Sequence, residues 1–367
     1  MSSSSIDDLL HTSKDSRKTL LDNLDTFFDN YDLDADPKQT YKRPETFTHI
    51  NFGHFNDYPV ALKLMKVIPY DIIAKQKLNK RQLQTGGITD YEKEIKMLQV
   101  LDWMRKRDVI PYSLPLLFSK HVSPIELKKF VNVPELRLEE AKEEDKYAML
   151  ATRKMDFTLN KFIIKHYKSN DPDFFNDIDA VLFVVLFNVY TLNSSIGFVH
   201  CDLHISNILL APLKEEDTLV FNINNNYFTI FSKYEIVLYD MFYSVFDNDI
   251  LGRAGSTFVP KLNKLKKDHY YKNDVGLFCV TLLKYIRKCN LMNRSLESFL
   301  LNIIGGESNI VGEKGNNRLK NYTKVMNIED IFHHSYFKVY QTSKAEIKAQ
   351  SHQKYFEVKG RLAVKQS

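Results

Sequence analysis

The segment Phe198–Leu210 constrains the fold more than any other part of this 367-residue chain. It begins and ends with apolar residues, and the polar loop between them carries His200, Asp202 and Asn207. Transfer of a phosphoryl group from a nucleotide needs a carboxylate that orients the attacking hydroxyl and an amide oxygen that binds magnesium. Asp202 and Asn207 supply both groups from one short loop. The spacing therefore predicts a loop framed by apolar segments that carries phosphoryl-transfer chemistry.

The pattern His-x-Asp-x-x-x-x-Asn resembles the catalytic loop of the protein-kinase-like superfamily. The resemblance implies an α+β, two-lobed fold with a small β-rich N-terminal lobe and a larger helical C-terminal lobe. It implies that Asp202 accepts or orients the proton of the acceptor hydroxyl, that Asn207 binds Mg²⁺, and that His200 braces the loop through hydrogen bonds. His204 stands where small-molecule phosphotransferases of the same superfamily often have histidine.

A lysine within an apolar strand is the next candidate. The run Tyr58–Met65 reads as a strand whose apolar residues are interrupted only by Lys63, and a lysine there is costly to bury without a partner. It resembles the kinase strand whose lysine binds the α- and β-phosphates. The stretch 91–101 has apolar residues at helical spacing and contains Glu94, which resembles the family's helix glutamate; Glu92 is the alternative. The resemblance predicts a Lys63–Glu94 ion pair.

A second carboxylate is needed to chelate magnesium against the phosphates. Asp240 ends an apolar strand and follows Asn207 in the expected order. The match to the motif Asp-Phe-Gly is partial, because Met241 replaces Phe and Phe242 replaces Gly. Asn207 and Asp240 are therefore the predicted magnesium ligands.

The nucleotide site is completed by a strand and the hinge that follows it. The family holds adenine through backbone groups of this hinge, which places adenine against Leu150, Ala151, Thr152 and Arg153. The predicted cofactors are ATP and Mg²⁺. The side chains expected to meet around one divalent ion and the phosphates are those of Asp202, Asn207, Asp240 and Lys63.

The chain also departs from the family's pattern in its glycines and in the length of one interval. Kinases usually cover the phosphates with a glycine-rich hairpin, whereas no glycine here precedes Gly53. The interval between Asn207 and Asp240 is also long, and holds two strand-like runs, 218–221 and 227–231, with asparagines between them. This pattern predicts an inserted hairpin with the asparagines at its turn.

Three weaker matches follow in the expected order. Residues 255–261 resemble the end of a kinase activation segment, with Lys261 in place of the family's glutamate. Asp274 resembles the buried aspartate that anchors the catalytic loop, and 328–337 resembles the terminal helix of the domain. Val325 falls near the place of the arginine that pairs with that glutamate, so both partners are replaced.

Length and charge suggest how the chain is divided. Single cores stop growing near about 250 to 300 residues, so two lobes are expected. Residues 338–367 carry seven basic and two acidic side chains, a net charge of +5 that equals the charge of the whole chain. The predicted divisions are a polar, acidic extension over 1–44, an N-lobe over 45–153, a C-lobe over 154–337 and a basic tail over 338–367. The tail is predicted to be solvated or to contact an acidic partner.

The remaining features concern where the protein works. No apolar run approaches the roughly 20 residues that span a bilayer, and the N-terminus lacks a signal-peptide pattern. Cys201, Cys279 and Cys289 form neither a paired framework nor a metal motif. These features predict an intracellular protein, cytoplasmic, nuclear or virion-associated, without a transmembrane segment or a specific nucleic-acid motif. The high Asn, Lys, Tyr, Phe and Ile content resembles kinases of large DNA viruses.

The leading interpretation is an ATP-dependent protein kinase that acts on serine or threonine of a protein substrate. A pseudokinase that binds nucleotide or serves as a scaffold is the second reading, favoured by the missing glycines and by the altered residues after Asp240. A small-molecule phosphotransferase is the third, favoured by His204. Turnover of Mg-ATP separates the first two readings, and a comparison of acceptors separates the first from the third.

Overall fold

The structure is a computed structural model. The residues that it describes are 31–33, 41–42, 48–55, 58–67, 90–125, 127, 146–169, 171–241, 244, 270–291, 293–311, 318–349 and 353–358. Most of the predicted extension 1–44, the segment 255–261 and most of the charged region before residue 146 lie outside them.

The chain contains both strands and helices, as predicted for an α+β fold. In order they are β1 Tyr31–Leu33, β2 Tyr41–Lys42, β3 Thr48–Phe55, β4 Tyr58–Val67, α1 Asp90–Arg105, β5 Leu116–Val122, β6 Lys146–Arg153, β7 Phe157–Thr158, α2 Leu159–Ser169, α3 Phe174–Ile196, β8 Ile208–Ile223, β9 Asn226–Leu238, α4 Tyr271–Lys288, α5 Arg294–Ile303, β10 Ile310–Val311, β11 Arg318–Leu319, α6 Ile328–His333, β12 Gln341–Thr342, α7 Lys344–Ala349 and β13 Lys354–Glu357.

The chain divides into two compact units. Unit 1 comprises residues 1–83, 88–99 and 114–154, and unit 2 comprises 84–87, 100–113 and 155–367. Unit 1 contains an antiparallel sheet in the order β1-β3-β4-β6-β5, with β2 paired to β3. Strand β4 lies at its centre, where Val60, Leu62 and Leu64 share one face of the strand and are fully buried. Because successive side chains of a strand point to opposite faces, Lys63 faces away from this apolar row.

Helix α3 is the apolar centre of unit 2. By length and composition it could cross a membrane, but 78% of its most apolar window is buried inside the protein, as expected for the core helix of a folded unit. Phe183 packs against aromatic rings from four other positions, which are Phe221, Phe228, Phe332 and Phe337. The helix ends at Gly197, whose φ of 64° closes it in the left-handed conformation that suits glycine.

The predicted hairpin is present and is longer than expected. Strands β8 and β9 pair over most of their length, and Asn224 and Asn225 form a two-residue turn in which both have positive φ, the geometry of a type I′ turn. The hairpin begins directly after Asn207 and ends two residues before Asp240. Its base therefore lies between the two predicted magnesium ligands in the chain, with Asn207 before the first strand and Asp240 after the second.

The C-terminal segment does not form a separate solvated tail up to residue 358. Strand β12 pairs with β9, and β13 pairs in parallel with β8, so both belong to the five-stranded sheet of unit 2. The hydroxyls of Tyr336 and Tyr340 also donate to the carboxylate of Asp179 on α3. The prediction of a solvated tail is wrong for residues 338–349 and 353–358, because net charge does not reveal the single apolar residue, Phe356, that the sheet buries.

Phe356 tests this correction. It is 3% exposed and contacts the ring of Phe221, whereas its neighbour Tyr355 is 43% exposed. We expect Phe356→Ala to lower the free energy of unfolding by about 3 kcal/mol, as large-to-small core changes do, and Tyr355→Ala to lower it by less than about 1 kcal/mol. Urea denaturation of both variants measures the difference. An equally small loss of stability in both variants would show that β13 does not pair with β8 in solution.

Candidate active site

The loop that follows α3 is fixed by a buried carboxylate from α4. Asp274 accepts hydrogen bonds from the backbone N–H groups of His200, at 2.6 Å, and of Cys201, at 2.8 Å. Burial raises the pKa of Asp274 to about 7, and the two backbone donors act in the opposite direction. The prediction that Asp274 anchors the loop is confirmed.

The backbone on both sides of the site adopts an uncommon conformation. Cys201, directly before Asp202, has a φ of 66°, and Asp240 has a φ of 60°. Residues other than glycine rarely occupy this region, and each such residue costs on the order of 1 kcal/mol or more. At Cys201 the hydrogen bond from its N–H to Asp274 is a contact that holds the strained backbone.

Asn207 joins the loop to the segment that contains Asp240. Its side-chain Nδ2 donates to the carbonyl oxygen of Asp202 at 2.9 Å, and its own carbonyl oxygen accepts from the N–H of Tyr239 at 2.9 Å. The next pair along the hairpin, Ile208 with Leu238, continues this contact as a β-ladder. The structure thus brings the backbones of Asp202, Asn207 and Asp240 together at the base of one hairpin.

His200 holds the same segment from the other side. Its ring Nε2 lies 2.8 Å from the carbonyl oxygen of Tyr239, and its own carbonyl oxygen accepts from the hydroxyl of Ser244. A carbonyl only accepts, so Nε2 carries the proton. Full burial lowers the pKa of His200 to about 4, although the negative charge of Asp240 acts in the opposite direction. The neutral ring braces the loop, as predicted, and does not act as an acid or base near pH 7.

The depressed pKa of His200 predicts a dependence of stability on pH. Below about 6.5 the unfolded chain takes up a proton that the folded ring does not, so the folded state loses stability as the pH falls from 6.5 to 4. Above pH 6.5 the neutral His200 ring contributes about 3 kcal/mol to the free energy of unfolding. Urea denaturation at pH 7 and pH 4.5 should show a larger loss for the wild type than for His200→Gln. Asp274 titrates in both proteins, so its opposite effect cancels in the comparison. Equal losses would contradict the prediction.

His204 lies beside the proposed base. Its Nδ1 accepts from the N–H of Ser206 at 3.2 Å and caps the short helical turn Ile205–Asn207. Its Nε2 lies 3.7 Å from Oδ2 of Asp202, too far for a direct hydrogen bond in this arrangement. His204 therefore combines a structural role in the loop with a position next to Asp202.

In unit 1, Lys63 and Glu94 form a buried ion pair. Lys63 Nζ lies 2.8 Å from Oε1 and 2.6 Å from Oε2 of Glu94, and both side chains are almost completely buried. This contact confirms the predicted pairing and selects Glu94 over the alternative Glu92. Lys63 also lies in the centre of the sheet, since its backbone neighbours are Ile50 on β3 and Leu150 on β6.

The predicted adenine contact needs correction. Leu150, Ala151 and Thr152 lie within β6, where the backbone pairs with β4 on one side and β5 on the other. Their N–H and C=O groups therefore point into ladders and are not available to hold a base. The sequence placed the end of the strand too early, because an apolar run does not show where pairing stops. The pairing ends at Arg153, after which the chain passes from unit 1 to unit 2.

Of the two other downstream matches, the terminal region 328–337 is described, whereas 255–261 lies outside the described residues. Helix α6 and the helical turn Ser335–Tyr340 occupy the predicted terminal region. Near Val325 the chain is held by a different contact: the ammonium group of Lys272, on α4, donates to the carbonyl oxygen of Val325 at 2.7 Å. Burial lowers the pKa of Lys272. Sequence reasoning missed Lys272 and Ser244, because neither belongs to a recognisable motif.

Comparisons with known proteins do not assign the chain to a family. No protein-family model matches the chain, and no curated protein matches it. Among the solved structures that match is one described as "WaaP in complex with acyl carrier protein", with 10% sequence identity and a TM-score of 0.33; the match covers 71% of this chain and 80% of that chain. At this TM-score no residue role is transferred from that structure.

Proposed function

We propose that the chain is an ATP-dependent phosphotransferase of the protein-kinase-like type that transfers the γ-phosphate to serine or threonine hydroxyls of a protein. The observation that carries the proposal is the arrangement around Asn207, whose side chain bonds the backbone of Asp202 and whose backbone bonds the segment of Asp240. These contacts hold the backbone of Asp202 and of Tyr239, the residue before Asp240, against Asn207, so the three oxygen-bearing side chains belong to adjoining segments. Phosphoryl transfer depends mainly on such positioning and on charge stabilisation.

The donor set suits a magnesium ion. Because Nδ2 of Asn207 donates to Asp202, its Oδ1 is the atom that can serve as a ligand, and Asp240 would add a carboxylate. Mg²⁺ in nucleotide sites is bound by one or two protein oxygens together with phosphates and water. Among the described residues no three His, Cys, Asp or Glu side chains form a metal-binding group. When bound, the ion would neutralise charge on the phosphates.

The other groups have distinct roles in this proposal. Asp202 orients the acceptor hydroxyl and takes its proton, while His200 and Asp274 hold the loop in the conformation that this requires. Lys63 places its ammonium group on the α- and β-phosphates, and Glu94 fixes the direction of that ammonium group. Adenine would meet backbone groups beyond the end of β6, since those within the strand are paired.

Mass spectrometry tests the proposal directly. Purified protein is incubated with Mg-ATP and with serine, threonine and tyrosine peptides, and new phosphate is sought on the peptides and on the protein itself. Phosphate on serine or threonine, lost when magnesium is chelated, is the expected result. Binding of Mg-ATP with no transfer to any acceptor would indicate a pseudokinase, and no binding at all would contradict the proposal.

A small-molecule acceptor is the second candidate, and the position of His204 favours it. The ring lies next to Asp202, where it could contact the hydroxyl-bearing molecule that Asp202 deprotonates. Aminoglycoside sugars and choline are therefore included beside the peptides in the same assay. Transfer to one of these compounds and to none of the peptides would favour this function over the protein kinase.

A further inference from the structure

Tyr91 is a buried residue of unit 1 that has no part in the site described so far. It lies one turn before Glu94 in α1, and only 4% of it is exposed. Its hydroxyl donates to the carbonyl oxygen of Met149 on β6 at 3.1 Å. Its ring meets His121 of β5 edge-on, with the centroids 4.9 Å apart. Tyr91 thus ties the first turn of α1 to two strands of the sheet.

The contact between Tyr91 and Met149 and the ion pair between Lys63 and Glu94 together connect α1 to both β6 and β4. Met149 precedes Leu150, which is the backbone partner of Lys63 on β4, and Lys63 bonds Glu94 on α1. The helix is therefore joined to β6 through Tyr91 and to β4 through Glu94, and the two strands are joined by their ladder. Residues three apart lie on the same face of a helix. Two attachments on that face prevent the rotation that a single attachment would allow.

The contact between Tyr91 and Met149 is well suited to fix the rotation of α1 about its own axis. Burial of Tyr91 excludes water that would compete for the Met149 oxygen, and a carbonyl has two lone pairs, so it can accept from Tyr91 as well as from a strand neighbour. The phenol has few rotatable bonds and moves with the helix backbone. Tyr91 and Glu94 lie on one face of the same helix, so a rotation of α1 moves both side chains together.

We infer that Tyr91 is a positioning residue for Lys63: its hydrogen bond to Met149 holds α1 in the rotation in which Glu94 directs the Lys63 ammonium group toward the nucleotide phosphates. The inference rests on the proposed function, because it concerns how the phosphate-binding lysine is aligned. It adds a second attachment of the helix that is independent of the ion pair.

Tyr91→Phe removes the hydroxyl and leaves the ring in place. Its matched control is Tyr112→Phe, which removes a buried hydroxyl that donates to Asp217 at 2.7 Å in unit 2. We expect Tyr91→Phe to raise KM for ATP about fivefold, which is the worth of one neutral hydrogen bond in an equilibrium constant, with kcat within about twofold. Tyr112→Phe should leave KM unchanged. A fall in kcat at constant KM would indicate only a smaller folded fraction and would overturn the inference, as would no change.

Hydrogen exchange measured without nucleotide tests whether Tyr91 holds α1, and it does so independently of enzymatic activity. Amides of α1 around residues 94–98 should exchange about fivefold faster in Tyr91→Phe than in the wild type, and Tyr112→Phe should not change them. Equal exchange in all three proteins overturns the inference even if the wild type transfers phosphate. If the wild type does not bind Mg-ATP, the proposed function fails and so does the role toward phosphate, while exchange still shows whether Tyr91 holds the helix.

Discussion

Asp202→Asn is expected to reduce kcat for phosphoryl transfer about a thousandfold, since removing a positioned general base typically costs 10²- to 10⁴-fold. The amide keeps the size of the carboxylate but cannot accept the proton of the acceptor hydroxyl. The contact that Asn207 makes with residue 202 uses the backbone carbonyl oxygen, so it survives the substitution. Affinity for Mg-ATP should therefore change by no more than about twofold.

The control for this experiment is Asp173→Asn. Asp173 is an exposed carboxylate paired with Lys233 at 2.6 Å, and such surface pairs contribute little. Its substitution removes the same charge without touching the loop, so kcat and the free energy of unfolding should remain near those of the wild type. A wild-type rate in Asp202→Asn would remove Asp202 from the reaction and with it the main support for the proposed chemistry.

Lys63→Met is expected to lower the free energy of unfolding by about 3–5 kcal/mol, because it leaves the carboxylate of Glu94 buried without its cation. Glu94 is 1% exposed and Lys63 Nζ contacts both of its oxygens. The same change removes the ammonium group that would bind the phosphates, so phosphoryl transfer should fall by at least about a hundredfold. Urea denaturation and the transfer assay measure the two effects separately.

The double variant Lys63→Met, Glu94→Leu separates stability from chemistry. Replacing a whole buried ion pair by apolar residues is often neutral or stabilising, so the double variant should recover most of the stability lost in Lys63→Met. Transfer should remain as low as in the single variant, since the cation is still missing. Recovery of transfer together with stability would show that Lys63 has only a structural role.

The residues of the loop could be predicted because their chemistry is local. Asp202 and Asn207 are close in sequence, and the apolar residues on both sides mark where the loop is held. Asp274 and the Lys63–Glu94 pair are distant in sequence, and they were predicted only through the family's order of motifs. The hairpin could be predicted from its two asparagines, since a two-residue turn with positive φ is a local property.

Other features could not be read from the sequence for physical reasons. The adenine contact was placed on Leu150–Thr152 because an apolar run shows burial but not which backbone groups are already paired. A solvated tail was predicted from the charge of the C-terminal segment. In the structure the four-residue strand β13 joins the sheet and buries one side chain, that of Phe356. Tyr91, Ser244 and Lys272 bond backbone carbonyl oxygens or a neighbouring turn, and such contacts leave no pattern in the sequence.

The sequence by itself determined which residue types are available for phosphoryl transfer and in which order they occur, because motif spacing and apolar patterning are local properties of the chain. Only the tertiary structure decided which backbone groups are paired, how Asp274 and His200 hold the loop in a strained conformation, and that the C-terminal strands β12 and β13 join the sheet of unit 2. These depend on contacts between residues far apart in the chain, whose free energy arises from burial and hydrogen bonding in the folded state.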